Sequence, residues 1–135
     1  MIFKKTKDGG PLSPVDAFFL CEFKNYFSIA LLRFNEGGRE SFHSHAFNAY
    51  TWFLWGDLEE QVLDYSTKTG YRVKPYKRRL EPKVTSRDRL HRVKASKPSW
   101  CFTVRGPWVK EWKEVDNSGN EITLGWGRVL FKKGV

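Results

Sequence analysis

The chain has 135 residues and a formal net charge of +9, and 16% of its residues are aromatic. This length predicts one domain, and the aromatic content excludes an intrinsically disordered protein. No apolar run of about 18 residues is present, and the start of the chain lacks the apolar core of a signal peptide. We therefore expect a cytoplasmic protein without membrane contact. The cysteines, Cys21 and Cys101, lack a metal-binding spacing, and we expect both to be reduced.

Residues 1–14 are predicted to form an irregular N-terminal arm, because they contain Gly9, Gly10, Pro11 and Pro14 among lysines and polar residues. The remainder, 15–135, shows no sustained helical period and predicts a single barrel of short strands. Turns are expected at 35–38, 56–57 and 96–98, and hairpin loops at 66–70 and 116–120. The predicted strands lie at 17–23, 26–34, 49–55, 58–65, 71–76, 90–93, 100–105, 109–115, 121–124 and 129–131, with a further strand around His43 and His45. This pattern is typical of an all-β barrel or jelly roll.

Basic residues are concentrated between Arg72 and Lys94. This segment, the basic band, contains ten basic residues and only two acidic ones, Glu81 and Asp88. Such a band can attract nucleic acid, a phosphorylated ligand or an acidic protein. It can equally be a solvated face that maintains solubility or prevents unwanted pairing of an edge strand. The sequence leaves both interpretations open.

The strongest functional signal is the sequence His43-Ser44-His45. Side chains two residues apart on a strand point to the same face, so the two imidazoles are predicted to lie side by side. Neutral histidine is the commonest metal ligand. His91, the only other histidine in the chain, is the candidate to complete a metal site. A metal-free pocket with acid–base histidines, or a purely structural role, remains open on these residues alone.

The spacing of Gly37, His43, His45 and Gly56 resembles the first sequence motif of the cupin superfamily. In that motif a glutamate normally follows the histidine pair, and Ala49 occupies its position here. His91 corresponds to the histidine of the second cupin motif, whose other usual residues are replaced. The segments 90–93, 98–100 and 105–112 are similar to small, largely uncharacterised cupin proteins from phages and bacteria. The resemblance covers about residues 17–130.

This resemblance implies a double-stranded β-helix with a metal in the mouth of its barrel. His43, His45 and His91 would be the ligands, and Fe(II) is the favoured cofactor, with Mn, Ni or Zn as alternatives. A three-histidine cupin site is similar to that of the thiol dioxygenases. Their tyrosine-centred catalytic set is not recognisable in this sequence, so thiol oxidation is not implied. Three protein ligands leave positions for water, substrate or oxygen.

The alternation of side chains suggests which residues line the pocket. If Ala49 faces inward, Thr51, Phe53 and Trp55 share its face. Cys101, Thr103 and Arg105 share one face of a later strand, and Arg33 shares one with Phe27, Ile29 and Leu31. An inward arginine could clamp a carboxylate or phosphate, so we predict Arg33, Arg105, Cys101 and Tyr50 as candidate catalytic residues.

Three functions follow from these expectations. The first is a metal-dependent enzyme, of the non-haem Fe(II) oxygenase type, acting on a small polar or anionic substrate. The second is a non-catalytic module that binds a small molecule, or that docks on nucleic acid or protein through the basic band. The third is a metal-free isomerase or epimerase. A homodimer is a further expectation, because cupins often pair through an outer strand.

Overall fold

The computed structural model describes residues 2–8, 13–38, 42–109, 112–115, 121–125 and 128–133, which contain twelve strands and no helix. The all-β prediction is confirmed. No helix among these residues is long and apolar enough to cross a membrane. The strands are β1 (Ile2–Lys7), β2 (Val15–Phe23), β3 (Phe27–Phe34), β4 (Gly37–Gly38), β5 (Phe42–His43), β6 (Ala49–Leu63), β7 (Tyr71–Pro75), β8 (Lys83–Thr85), β9 (His91–Arg105), β10 (Trp112–Val115), β11 (Glu121–Gly125) and β12 (Arg128–Lys133).

Two long strands, β6 and β9, organise the sheet. They pair antiparallel from Ala49 opposite Arg105 to Val62 opposite His91. The C-terminal half of β9 also pairs with β3, which continues to β2 and β1, while its N-terminal half pairs with β4 and β5. Beyond β5 the sheet continues through β10, β11 and β12. The same strand pair therefore belongs to both halves of the molecule, as in a double-stranded β-helix.

The predicted breaks in these two strands were wrong. Instead of turns at 56–57 and 96–98, the structure has continuous strands whose register shifts between Phe53 and Leu58. Gly56 adopts a φ of +119°, a conformation that side-chain-bearing residues rarely adopt. A Cβ at this position would also overlap the side chain of Ser99 on β9. The glycine therefore makes a β-bulge rather than a chain reversal.

The N-terminal arm was predicted to be irregular, and for residues 2–7 this was wrong. They form β1, which pairs antiparallel with β2 from Ile2 opposite Cys21 to Lys7 opposite Asp16. An edge strand needs backbone hydrogen bonds on one side only, and lysines on such a strand discourage further pairing. Its mostly exposed side chains form no apolar face that the sequence could reveal. Residues 9–12 of the arm and the loop predicted at 116–120 lie outside the described residues.

The core lies between the inward faces of β2, β3, β6 and β9. On β3 the buried residues are Ser28, Ala30 and Leu32, so the face that Arg33 shares with Ile29 and Leu31 is the outer one, and Arg33 is not an inward arginine. The small inward side chains leave room for a cavity, while aromatic side chains partly cover the outer face. The main buried cluster comprises Ala17, Phe19, Ala30, Leu32, Leu58, Ala95 and Cys101.

Candidate metal centre

The three histidines meet at one place in the barrel. The ring centroids of His43, His45 and His91 lie 4.9–5.2 Å apart. One nitrogen from each ring can be chosen so that all three lie within 4.8 Å of one another. The Nε2 atoms of His45 and His91 are 2.8 Å apart. The cluster predicted from the sequence is therefore present.

Strand pairing brings the distant parts of the sequence together. His43 on β5 lies directly opposite His91 on β9, and opposite Glu114 on its other side. Strand β5 ends at His43, so the strand predicted to contain both histidines stops before His45. Backbone hydrogen bonds hold the next two residues: the Ser44 amide donates to the Lys113 carbonyl at 2.8 Å, and the His45 amide donates to the Arg87 carbonyl at 3.2 Å.

The orientation of His91 is determined by Glu60 on the neighbouring strand β6. The Nδ1 of His91 lies 2.6 Å from Oε2 of Glu60, and both side chains are buried. An ionised carboxylate only accepts hydrogen bonds, so Nδ1 carries the proton and donates it. The lone pair of the ring is then on Nε2, which faces His45. In metalloproteins, a histidine that binds the metal through one ring nitrogen commonly donates the N–H of its other ring nitrogen to a carboxylate, which fixes the tautomer and orientation of the ring.

Glu60 is 1% exposed and is compensated by cations of the basic band. Lys83 donates to its Oε2 at 2.8 Å, and an Nη of Arg89 lies 3.4 Å from Oε1. Burial acts to raise the pKa of Glu60, but the hydrogen bonds from His91 and Lys83 outweigh it and lower the pKa to about 2. Glu60 is therefore an anion whose charge balances the site.

These residues fit a divalent metal. Two nitrogens bound at about 2.1 Å and at right angles would be about 3 Å apart, close to the separation of the Nε2 atoms of His45 and His91. The predicted tautomer of His91 presents a lone pair, and Glu60 supplies its support. Ala49 is buried and lines the same cavity, so the fourth protein ligand of the cupin motif is absent at that position. Imidazole ligands suit Fe, Zn, Cu and Ni.

The cluster lies in the wall of a cavity of about 490 Å³. Thr51 and Thr103 also line it, as predicted by side-chain alternation, and their hydroxyls lie 3.2 Å apart. Tyr76, which sequence reasoning did not select, contributes a further wall. Burial raises the pKa of the Tyr76 phenol well above its usual value, and the nearby charge of Glu60 adds to the effect. The phenol stays protonated.

Of the four candidate catalytic residues, Arg105 alone lines this cavity. Arg33 is exposed on the outer face of β3. Tyr50 is 47% exposed and points away from Ala49 and Thr51. Cys101 is fully buried within the apolar core, where burial raises the pKa of its thiol to about 12. The structure therefore places Arg33, Tyr50 and Cys101 outside the lining of the histidine cavity.

Sequence reasoning missed Glu60 and Phe47. Glu60 lies beyond the bulge at Gly56, where the register of β6 shifts, so the alternation counted from Ala49 does not reach it. Phe47 lies between the two cupin motif positions His45 and Ala49, and its ring stacks on His45 with centroids 5.2 Å apart. No local signal marked Glu60, because Asp57 and Glu59 are acidic residues of the same strand.

Comparison with solved structures identifies the fold. An acetylacetone dioxygenase from Acinetobacter johnsonii superposes with a TM-score of 0.56 and 16% identity, covering 90% of this chain and 79% of its own. An RmlC-like cupin from Shewanella frigidimarina superposes with a TM-score of 0.52 and 14% sequence identity. The match covers 78% of this chain and 84% of the Shewanella chain. HppE, in an Fe(II) form with substrate, superposes with a TM-score of 0.58 and 12% sequence identity. The match covers 76% of this chain and 56% of the HppE chain.

No family model and no curated protein matches the sequence. At these identities the structural likenesses establish the cupin fold and do not establish a shared reaction. The predicted double-stranded β-helix is confirmed. The fold and the three-histidine cluster together support a divalent metal site in the cavity.

Proposed function

We propose that this cupin-fold protein is a metal-dependent oxygenase of the non-haem Fe(II) type, acting on a small polar or anionic molecule. The observation that carries the proposal is the convergence of three imidazoles in a cavity wall, with His91 oriented by a buried carboxylate. His43, His45 and His91 would hold the metal. A bound ferrous ion supplies Lewis acidity and one-electron chemistry toward O₂. Mn, Ni and Zn are the alternative ions.

The chain's own residues prepare this site. Glu60 keeps the proton of His91 on Nδ1 and compensates positive charge. Thr51 and Thr103 offer hydroxyls to a polar substrate, and Tyr76 offers a neutral phenol. Aromatic residues around the cluster, including Phe47 and Trp108, limit the access of water. The cavity is thus polar at the histidines and aromatic around them.

Oxygen consumption by the metal-loaded protein tests this function. Metal-free protein is loaded anaerobically with Fe(II) and mixed with a panel of small acids and diketones, including acetylacetone, in an oxygen electrode. We expect substrate-dependent oxygen uptake by the wild type and none by His91→Ala. Uptake that persists in His91→Ala, or a wild type that binds no metal, contradicts the proposal.

A binding module is the second candidate, and one observation favours it. A second cavity of about 390 Å³ is lined by several cations of the basic band, including Lys74, Lys77 and Arg79. Part of the band has other partners: Lys83 and Arg89 contact Glu60, and Arg92 contacts Gln61. Tight, salt-dependent binding of single-stranded nucleic acid, unaffected by removal of all three histidines, would favour this candidate over the oxygenase.

A further inference from the structure

Arg105 is a buried cation in the wall of the histidine cavity. It is 3% exposed, and its guanidinium lies over the rings of Phe47 and Phe19, at 4.6 and 5.5 Å from their centroids. The position of this group is therefore fixed by aromatic packing. Its Nε–H has no hydrogen-bond acceptor among the described residues. A buried guanidinium with an unused donor is incompletely satisfied.

The two Nη groups of Arg105 bind a carboxylate of the chain itself. They donate to the two oxygens of Asp8 at 3.1 and 2.6 Å, which is the paired geometry by which arginine recognises carboxylates. Asp8 follows the edge strand β1. Two hydrogen bonds hold its backbone: the Asp8 N–H donates to the Val15 carbonyl at 2.9 Å, and the Ser13 hydroxyl donates to the Asp8 carbonyl. Its side chain remains 26% exposed, so rotation of the side chain alone can release Arg105.

Arg105 and the histidine cluster both contact the ring of Phe47. The Phe47 ring lies between them, stacked on His45 at 5.2 Å and on the guanidinium at 4.6 Å. All of these residues line the same cavity. A molecule with a carboxylate at Arg105 can therefore place another polar group at the histidines. Lys4, Lys7 and Lys24 also line the cavity, together with the carboxylates of Glu22 and Glu114.

We propose that Arg105 forms a carboxylate-binding subsite and that Asp8 is an internal competitor for it. The substrate class of the proposed oxygenase is then a small carboxylic acid, an assignment that rests on the proposed function. Exchange of one carboxylate for another leaves the buried charge balanced, so the exchange costs little. An incoming carboxylate can use the Nε donor that Asp8 leaves without a partner. The end of β1 thereby controls access to the cavity.

Binding of malonate to the metal-free protein tests this subsite independently of any metal. Calorimetric titration compares the wild type with Asp8→Asn and Arg105→Gln. Asp8→Asn is expected to bind malonate roughly tenfold more tightly than the wild type, because the tethered competitor is lost. Arg105→Gln is expected to lose the binding. Equal affinities of wild type and Asp8→Asn, or undiminished affinity in Arg105→Gln, would overturn the proposal.

Two controls separate a carboxylate site from general charge effects. Asp64→Asn removes the same charge from an exposed carboxylate paired with Arg72, and its malonate affinity should equal that of the wild type. Inorganic phosphate and the neutral malonamide should bind Asp8→Asn less tightly than malonate. Phosphate binding as tight as malonate would replace the carboxylate assignment with a general anion site and so overturn it.

A measurement on the wild type avoids dependence on the folding of the variants. The ¹⁵N–¹H resonance of the Arg105 Nε–H should shift downfield as malonate saturates the protein, because this donor gains an acceptor. An unchanged resonance at saturating malonate contradicts the proposal. If malonate binds as expected but the protein holds no metal, the oxygenase function fails while the carboxylate subsite stands.

Discussion

Glu60 is the residue on which the geometry of the metal centre depends most. It is buried, it accepts a hydrogen bond from His91 Nδ1 at 2.6 Å, and its charge is balanced by Lys83 and Arg89. We predict that Glu60→Gln lowers the affinity for Zn(II) or Co(II) by about 10- to 100-fold, the usual effect of changing a ligand's supporting carboxylate. Competition with a chelating dye measures this affinity.

The matched control for this prediction is Glu59→Gln. It makes the same chemical change one residue away, where alternation directs the side chain to the other face of β6. Its metal affinity should remain that of the wild type. If Glu60→Gln binds metal as tightly as Glu59→Gln does, Glu60 does not support a ligand.

Cys101 provides a second test at the residue scale. Burial in the apolar core raises the pKa of its thiol to about 12, so almost no thiolate exists at pH 8. We predict that in the native protein a thiol reagent such as DTNB labels only Cys21, which is partly exposed. Cys21→Ser should react only after unfolding. Rapid native labelling of Cys21→Ser would show that Cys101 is accessible and would restore it as a candidate catalytic residue.

The histidine cluster was predictable from the sequence, whereas its supporting residues were not. His43 and His45 are two residues apart, and the chain contains a single third histidine. Glu60 becomes a neighbour of His91 only through the register of β6 and β9, which a bulge shifts. The partners Arg105 and Asp8 are separated by 97 residues in the sequence. No local pattern encodes such long-range pairs.

Among the strands and turns, Gly56 has the most specific role. Its φ of +119° makes the bulge in β6, and a Cβ there would overlap Ser99. We predict that Gly56→Ala lowers the free energy of unfolding by about 2 kcal/mol or more, combining backbone strain with overpacking. Urea denaturation measures the change.

Gly70 is the matched control for Gly56. Its φ is +85°, but no atom lies within 4 Å of the position of a Cβ. Gly70→Ala should therefore show the cost of backbone strain alone, smaller than that of Gly56→Ala by about 1 kcal/mol or more. Equal destabilisation by the two changes would show that the approach of Ser99 does not matter.

Strand existence was predicted better than strand ends. The hairpin of β6 and β7 and the pairing of β10 with β11 agree with the sequence pattern. The strands β6 and β9 each appeared as two pieces, because glycine or proline punctuates them and bulges cannot be distinguished from turns without the partner strand. β1 was missed because an exposed, lysine-rich edge has no apolar alternation.

At the scale of the whole molecule, the net charge of +9 is weak evidence for an anionic partner, because several of its cations contact residues of the chain itself. Lys83 and Arg89 compensate buried Glu60, and Arg72 pairs with Asp64. Arg92 binds Gln61 and packs on the ring of Phe42. Part of the basic band therefore supports the fold and the metal centre. The exposed remainder keeps nucleic-acid binding as a testable alternative.

At the scale of the whole molecule, we propose that the barrel holds a metal ion at the three-histidine cluster. The most direct measurement is the metal content, by elemental analysis, of protein purified without an immobilised-nickel column. Wild type is compared with His91→Ala, with the fold of each verified by circular dichroism. We predict about one equivalent of iron, manganese, nickel or zinc in the wild type and its loss in folded His91→Ala. Equal, negligible metal in both proteins, also after incubation with these ions, would contradict it.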